Sequence, residues 1–342
     1  MIFMPLPIIL AVGAVIAGAS GVGAGISGGV KMKKANDKVK EATERDKNNV
    51  ARMKRKQNEA TSTMDRVGRK ELEILKSFEK FQDLIERIQN RPDFKQIHRN
   101  NVTIPQYNPE DIKNAHVGAA VLLGGLGGAA VGTAGGFAAA GATTAAVMAL
   151  GTASTGTAIA SLSGAAATNA TLAALGGGAI AAGGGGMALG TALLGGATLG
   201  VGLLVGGIIF NFTGGKLSNK ADEAWKQMLE NEKEINKIVD YLNKLTNAAN
   251  GFFSSLKSVE RIYKRHLEKL EEIENHKVNW NDFTPEEKLC VENLVLAVGV
   301  LYQMCKVQLV LKTSGKQLNQ INYSEINKAK KNASEFADSV ND

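Results

Sequence analysis

The chain has 342 residues, with 40 Lys and Arg against 33 Asp and Glu, a net charge of +7 and only 5% aromatic residues. Its length allows two domains, but so few aromatic side chains argue against one large ordinary globular core. Two cysteines, Cys290 and Cys305, stand in no metal or redox spacing, so reduced thiols in a cytosolic setting are expected.

The averages hide a partition. Residues 1–30 carry no charge, 31–115 hold 21 basic and 14 acidic side chains, 117–215 hold none, and 216–342 hold 19 of each sign. The net charge therefore lies in the first polar segment. Within it, residues 31–56 have 11 basic and 4 acidic side chains, including "RMKRK" at 52–56.

The first element, "IILAVGAVIAGASGVGAGISGGV" at residues 8–30, is 23 residues long and uncharged. As a helix it would extend about 34 Å, enough for a bilayer core of about 30 Å. It is not expected to be a secretory signal, because no basic start precedes it and its apolar run is too long. Small residues recur at Gly13, Ala17, Gly21, Gly25 and Gly29, a spacing that lets a second helix approach closely in lipid. Lys31, Lys33 and Lys34 follow at once, which assigns that flank to the cytoplasm. The same lysines with Arg52, Lys54, Arg55 and Lys56 form a candidate cluster for anionic lipid headgroups, each worth roughly 1 kcal/mol when close to the surface.

Residues 39–88 read as a heptad pattern: Val50, Met53, Ala60, Met64, Val67, Ile74, Phe78, Phe81, Ile85 and Ile88, with Gln57 and Glu71 filling two positions of the seam. Gly68 and "TSTM" at 61–64 are candidate bends. A linker with Pro92 and Pro105 follows, and "NPED" at 108–111 signals a helix start, with Asn108 as cap and Pro109 in the first turn.

From Val117 to Gly215 there are 99 residues without Asp, Glu, Lys or Arg; 28 are glycine and 28 are Leu, Ile, Val, Phe or Met. Flexible linkers carry more polar residues, and strict alternation for strands is absent. A membrane helix fits better, since unsatisfied peptide groups force helix in lipid and small residues form its contacts. Gly124, Gly128, Gly132 and Gly136 make one stripe; Gly178, Ala182, Gly186 and Gly190 make another. Residues 187–212 hold 13 large apolar side chains in 26 and should span; the weaker half, with breakers at 151–157 and 176–186, needs neighbours in the chain or in an oligomer. The stretch reads as an apolar helical hairpin, inserted constitutively or held latent in a soluble form.

A second heptad stretch spans 221–274. Trp225, Met228, Ile235, Val239 and Leu242 keep phase, which slips near Leu245 and resumes with Phe252, Leu256, Val259, Tyr263, Leu270 and Ile273. Its length matches the first stretch, so the two are expected to pack together. "TPEE" at 284–287 is a capping box opening the central helix of a C-terminal bundle, apolar from Leu294 to Leu311 and ended by Ser314–Gly315. A short polar helix is expected over 324–339.

The expected fold is all-α. Residues 1–30 form an N-terminal membrane helix, 31–115 a basic coiled-coil arm and linker, 116–215 the glycine-rich hairpin, and 216–342 a second coiled-coil arm with a helical bundle. "GTASTGTAIASLSGAAATNATLAALGGGAIAAGGGGMALG" at 151–190 resembles a glycine-rich, glycine-zipper-like segment of bacterial membrane proteins in which it also lies between charged helical arms. The overall plan is similar to apolipoprotein-L-like and colicin-type pore formers. The resemblance implies a bacterial inner-membrane protein with cytoplasmic polar arms, and an effector role in defence or toxicity.

Other chemistry finds little footing. A P-loop needs a lysine beside its second glycine, and none exists between 117 and 215; a dinucleotide fingerprint needs a preceding strand and a later acid. His98, His116, His266 and His276 form no ligand pair at helical spacing; His116 is expected at the hairpin's interfacial entrance. No catalytic constellation, cofactor site or metal site is expected, and the basic segment lacks the aromatics that would point to nucleic acid. The expected partners are the bilayer, further copies of the chain and a regulatory protein on the coiled-coil arms. The expected function is a membrane effector that oligomerises through glycine stripes and perturbs the bilayer as a pore or channel. The alternative is a membrane-anchored coiled-coil scaffold.

Overall fold

The computed structural model describes residues 26–94, 109–126, 141, 142, 146, 217–311 and 318–341. Among these are five helices and two short strands: α1 (Ile26–Arg87), α2 (Pro109–Leu126), α3 (Leu217–Glu274), α4 (Pro285–Lys306), β1 (Val310–Leu311), β2 (Gln320–Ile321) and α5 (Tyr323–Asn341). The described chain is thus predominantly helical. Of the expected span at 8–30, residues 26–30 form the start of α1 and the rest lies outside the described residues, as do the expected span at 187–212 and most of the hairpin beyond Leu126.

Two compact units form, Met1–Asn58 with Val201–Asn243 and Glu59–Gly200 with Lys244–Asp342. Each draws on both polar arms, through α1 and α3. The helix α1 runs unbroken through Lys31, through "TSTM" at 61–64 and through Gly68, so none of these interrupts it. Gly68 is buried there, and a glycine inside a helix costs about 1 kcal/mol, less than the burial of the apolar neighbours around it returns.

In the first unit, α1 and α3 lie side by side. Lys38 bonds Asp222 at 2.5 Å, Arg45 donates to both carboxyl oxygens of Glu232 from Nη2 and Nε at 2.8 and 3.2 Å, Asn49 donates to Glu232 at 3.2 Å, and Arg52 donates to Asn236. The sequence separation of these partners stays between 183 and 187, so both chains advance in the same direction and the pair is parallel. Towards the start of α3 its core is a small cluster of Ala42, Ala224 and Met228, flanked by Val39 and Trp225; further along, Met53, Ile235, Ile238 and Leu242 are buried. Lys38 and Arg45 stand over the Trp225 ring at 6.0 and 5.9 Å. One polar pair sits within the apolar row. Asn231 donates to Asp46 at 2.6 Å, and burial pushes the Asp46 carboxyl up while that hydrogen bond pulls it down.

In the second unit the parallel relation holds again: Arg66 to Asn250 at 2.5 Å, Tyr263 to the Ser77 carbonyl at 2.9 Å, and Lys80 to Glu271 at 2.7 Å. Backbone bonds tie the two helix ends together. Gln89 donates to the Val278 carbonyl at 2.8 Å and Trp280 to the Gln89 carbonyl at 2.9 Å. Asn90 turns the chain with φ 54°, a conformation asparagine tolerates better than most residues.

The buried rows correct the heptad reading in two places. On α3 the phase does not slip. Ala221, Ala224, Met228, Ile235, Ile238, Leu242, Leu245, Ala249, Phe252, Leu256, Val259, Tyr263, His266 and Leu270 are all buried in unbroken three- and four-residue steps, with half-buried Asn231 filling the gap. Ala224, not the half-buried Trp225, and Ile238, not Val239, hold the seam; at 238 and 239 the sequence offers two adjacent β-branched residues, and the wrong one produces an apparent slip. On α1, Met53, Ala60, Val67, Ile74, Phe81 and Ile88 are buried as expected. Several bonds to α3 leave from the row on one side of them (Asn49, Lys70, Ser77); Met64, Glu71, Phe78 and Ile85 lie on the other side, where Phe78 still packs edge-on against Tyr263 of α3 at 5.8 Å. In the second unit both flanking rows are largely buried, because α1 there has more than one neighbour.

The capping box of α4 forms as read: Glu287 N–H donates to Thr284 Oγ1 at 3.2 Å and Thr284 N–H to Glu287 Oε2 at 2.7 Å, with Pro285 in the first turn. The helix ends at Lys306, earlier than the apolar run suggests. Val307 is extended (φ −66°, ψ 123°), and Val310 and Leu311 pair antiparallel with Ile321 and Gln320. Asn322 joins this ribbon to α5, donating to the Gln308 carbonyl at 2.9 Å. α5 buries Ile326, Ala329, Ala333 and Phe336 on one face.

Asn231→Leu should lower the stability of the first unit by about 1–2 kcal/mol in chemical denaturation followed by circular dichroism, since Asp46 keeps its partly buried charge and loses its donor. Adding Asp46→Leu should restore or exceed the wild-type value, while loosening the register that the polar pair imposes.

Candidate functional site

Three features of the described residues bear on function: the basic face of α1, the glycine contacts of α2, and the surroundings of α4. On α1, Lys33, Lys34, Lys54 and Arg55 are exposed. Arg52 is not available in the same way, because it donates to Asn236 and to Asn49. Lys56 is half-buried and also engaged. Lys31 lies in the helix, with side-chain surroundings outside the described residues. Between the pairs Lys33–Lys34 and Lys54–Arg55, the exposed Lys40 and Lys47 continue the seven-residue step from Lys33 to Lys54 along one face of α1, while Asp222 and Glu232 of α3 neutralise Lys38 and Arg45 beside it.

Of the glycine stripes, Gly29 lies within α1 and Gly124 within α2. Gly13, Ala17, Gly21, Gly25, Gly128, Gly132, Gly136, Gly178, Ala182, Gly186 and Gly190 lie outside the described residues. Gly124 is exposed, and a Cβ placed on it would meet nothing within 4 Å. The close approach on α2 is made by Gly118 instead. A Cβ there would stand 1.8 Å from the Ala146 carbonyl oxygen and 2.4 Å from its carbon. Around it Ile112, Ala115, Ala119, Leu122, Ala142 and Ala146 are fully buried. Gly118 lies six positions before the stripe and has no partner glycine four residues on, so this contact is separate from the stripe read in the sequence. The small pair Ala115 and Ala119 around it was the available signal.

α2 begins inside the second unit, where Gln82 donates to the Pro109 carbonyl at 2.8 Å. His116 is half-buried there, and burial lowers its pKa although Glu79 and Asp83 oppose the shift. A cleft of about 350 Å³ opens beside this junction, lined by Phe81, Ile85, Arg91, Phe94 and Pro109 among others.

The helix α4 is the one described helix long and apolar enough to cross a membrane, and most of it is buried in the second unit. Its contact with α3 gathers a cysteine, a histidine and an asparagine, residue types that also serve nucleophilic catalysis. Their geometry is structural. His266 donates from Nδ1 to the Ile262 carbonyl at 2.8 Å, leaving Nε2 to accept from Asn293 at 3.5 Å. The Cys290 thiol donates to the His266 carbonyl at 3.8 Å rather than to the ring. Burial lowers the His266 pKa and raises that of Cys290, so the ring is neutral and the thiol is protonated. Among the described residues no group of three His, Cys, Asp or Glu is placed to hold a metal ion.

Two acids depart from ordinary behaviour. Glu71 is completely buried, with neither carboxyl oxygen hydrogen-bonded, and burial pushes its pKa well above the usual carboxylate range. Glu274, the last residue of α3, is pushed up to about 7 by burial and by Glu271, with Arg87 pulling the other way at 3.9 Å. Glu71 was legible in the sequence as a polar break in the seam. Glu274 gave no signal, since its burial arises where the two helix ends and the following turn converge.

Comparison of the chain with protein-family models, with curated proteins and with solved structures gives no match.

Gly118→Ala and Gly124→Ala separate the two kinds of glycine. The first inserts a methyl into a backbone contact and should lower the melting temperature. The second should be neutral or stabilising, by up to about 1 kcal/mol from helix propensity. Equal effects in thermal denaturation would show that Gly118 is not a packing position.

Proposed function

We propose that the chain is a bacterial membrane protein, integral or conditionally inserting, that oligomerises through glycine-striped helices and perturbs the bilayer as a pore or channel. The observation that carries this reading is the 99-residue stretch Val117–Gly215, which has no ionisable Asp, Glu, Lys or Arg and 28 glycines. A chain that cannot be solvated by charge and lacks large side chains gains most where helices meet backbone to backbone. Gly118 against Ala146 is one such meeting. The sheathed, apolar α4 supports the conditional form, since a helix of that composition surrounded by amphipathic partners stays soluble only while they cover it.

In this reading residues 8–30 and 187–212 span the inner membrane, the long helices pair as coiled-coil arms in the cytoplasm, and of the basic cluster Lys33 and Lys34, in the first turns after the span, face anionic headgroups, while Lys54 and Arg55 belong to the solvated face of the arm. A second reading, a membrane-anchored scaffold without a conducting path, is favoured by the run of ion pairs between α1 and α3, which suits a pairing element better than a pore lining.

Dye-loaded liposomes containing anionic lipid decide between them. The pore reading expects leakage from wild-type protein, and expects Gly128→Leu with Gly132→Leu to reach the membrane yet lose both cross-linked oligomer and leakage, because a gap of about 0.5–1 Å between backbones forfeits roughly a quarter to a half of the contact energy. Binding to the liposomes without leakage would leave the scaffold. Recovery of the protein as a soluble monomer after alkaline carbonate extraction would end the constitutive form.

A further inference from the structure

The contact between α1 and α4 buries a carboxyl group that nothing holds. Glu71 is 0% exposed, and neither of its oxygens has a hydrogen-bond partner. On α1 it is surrounded by the fully buried Val67, Leu72, Ile74 and Leu75. α4 reaches this point directly, for the Cys305 thiol donates to the backbone carbonyl of Glu71 at 3.8 Å. The charged and titratable groups around the contact have partners of their own: on α4, Lys306 stands over the Tyr302 ring at 4.4 Å, and burial, with Asp111 of α2 and Cys305 nearby, raises the Tyr302 pKa. Lys70 on α1 bonds Glu73 at 2.8 Å and Glu260 at 3.4 Å. On α3, Glu260 is also held by Lys264 at 2.8 Å, and Tyr263 donates to the Ser77 carbonyl. Cys305, on α4, is fully buried.

We propose that Glu71 is a proton-controlled catch on α4: while its carboxyl keeps a proton the second unit holds the helix, and loss of that proton to solvent releases it. An isolated carboxylate in an apolar contact recovers its hydration only if the contact opens. α4 is the element that opening would uncover, and it is the described helix whose exposed surface a membrane would take up.

The direction of the pH response follows from burial. The folded carboxyl titrates well above the ordinary value of 4.5. Below that value both folded and open states are protonated and the contact has its full stability. As pH rises from there through the folded value, the open state sheds its proton first, and stability falls. Tyr263 and Cys305 are shifted upward, away from this window, by the same burial. Glu274, pushed up to about 7, titrates within it, so the test must separate the two acids.

The consequence for insertion rests on the membrane reading, but the catch is tested without lipid. The full chain is labelled with a neutral maleimide from mildly acidic to mildly alkaline pH, and modification of Cys305 is distinguished from that of Cys290 by peptide mass. Wild type is compared with Glu71→Gln and Glu71→Leu; Glu274 is the same in all three, and although Glu71 itself raises the pKa of the buried Cys305 thiol, labelling reads the opened state, in which the thiol is exposed and that influence is screened by water. The ratio of the wild-type Cys305 rate to that of either variant should grow by about tenfold per pH unit above the ordinary carboxylate range, until the folded carboxyl is ionised. A ratio that stays constant with pH for a folded variant overturns the catch; Glu71→Leu serves if Glu71→Gln does not fold. Liposome leakage that fails while the ratio behaves as expected would count against the membrane reading alone.

Discussion

The constraint on which the described structure depends is the parallel pairing of α1 with α3. In each unit the partners keep nearly the same separation in sequence, from 183 to 191 residues. The apolar rows hold the pair rather than the charges above them. An exposed ion pair such as Lys38–Asp222 or Lys80–Glu271 is worth about 0.2–1 kcal/mol, whereas one fully buried Leu, Ile or Phe contributes about 1.5–3 kcal/mol. Charges and the Asp46–Asn231 pair instead select direction and register. A parallel pair also cannot be closed by a short turn. The chain between α1 and α3 has to be a long connection, and in this sequence that connection contains the uncharged stretch.

Within the second unit, acids are treated in two ways. Glu260 is nearly as buried as Glu71, but Lys264 and Lys70 stand beside it at 2.8 and 3.4 Å. Glu71 has no counterpart. An apolar side chain of similar volume would pack there without the desolvation penalty, which amounts to several kcal/mol for an uncompensated ion. The position is therefore a local conflict between sequence and fold of the kind that natural proteins retain mainly where function needs it.

Much of this was legible beforehand, for identifiable reasons. The capping box at Thr284, the start at Pro109, the helix over Tyr323–Asn341 and the burial of the α1 row depend on local spacing, which sequence displays directly. What was missed depends on neighbours. The flank of α1 that meets α3 is indistinguishable by periodicity from the flank on the other side, because both continue the same three- and four-residue steps. The choice of Ile238 over Val239 is likewise made by the partner helix. The end of α4 at Lys306 is set by the strand pairing of Val310 with Ile321, a contact between residues on either side of a loop. Gly118 was passed over because it belongs to no repeated stripe. Its role follows from the approach of Ala146, of which the small residues Ala115 and Ala119 beside it on α2 are only a faint sign.

The two ends of the uncharged stretch are held with unequal strength. Its beginning is α2, whose Ile112, Ala115, Ala119 and Leu122 are fully buried in the second unit and whose first carbonyl accepts from Gln82. Its end leads into the first turns of α3, where the first unit offers Ala224 and Met228 against Ala42, a core mostly of methyl groups. Small side chains bring few buried methylenes, each worth about 0.8 kcal/mol, and the Lys38–Asp222 pair above them is exposed. Local opening is drawn from segments with few buried apolar contacts, so the first turns of α3 should open at lower free energy than α2. The exposed Lys33 and Lys34 lie on the opposing helix at this weaker end. Under the membrane reading, an anionic surface that attracts them supplies the stabilisation that the seam itself lacks there, and the pairing of α1 with α3 becomes sensitive to the presence of a bilayer where its own packing is least able to resist.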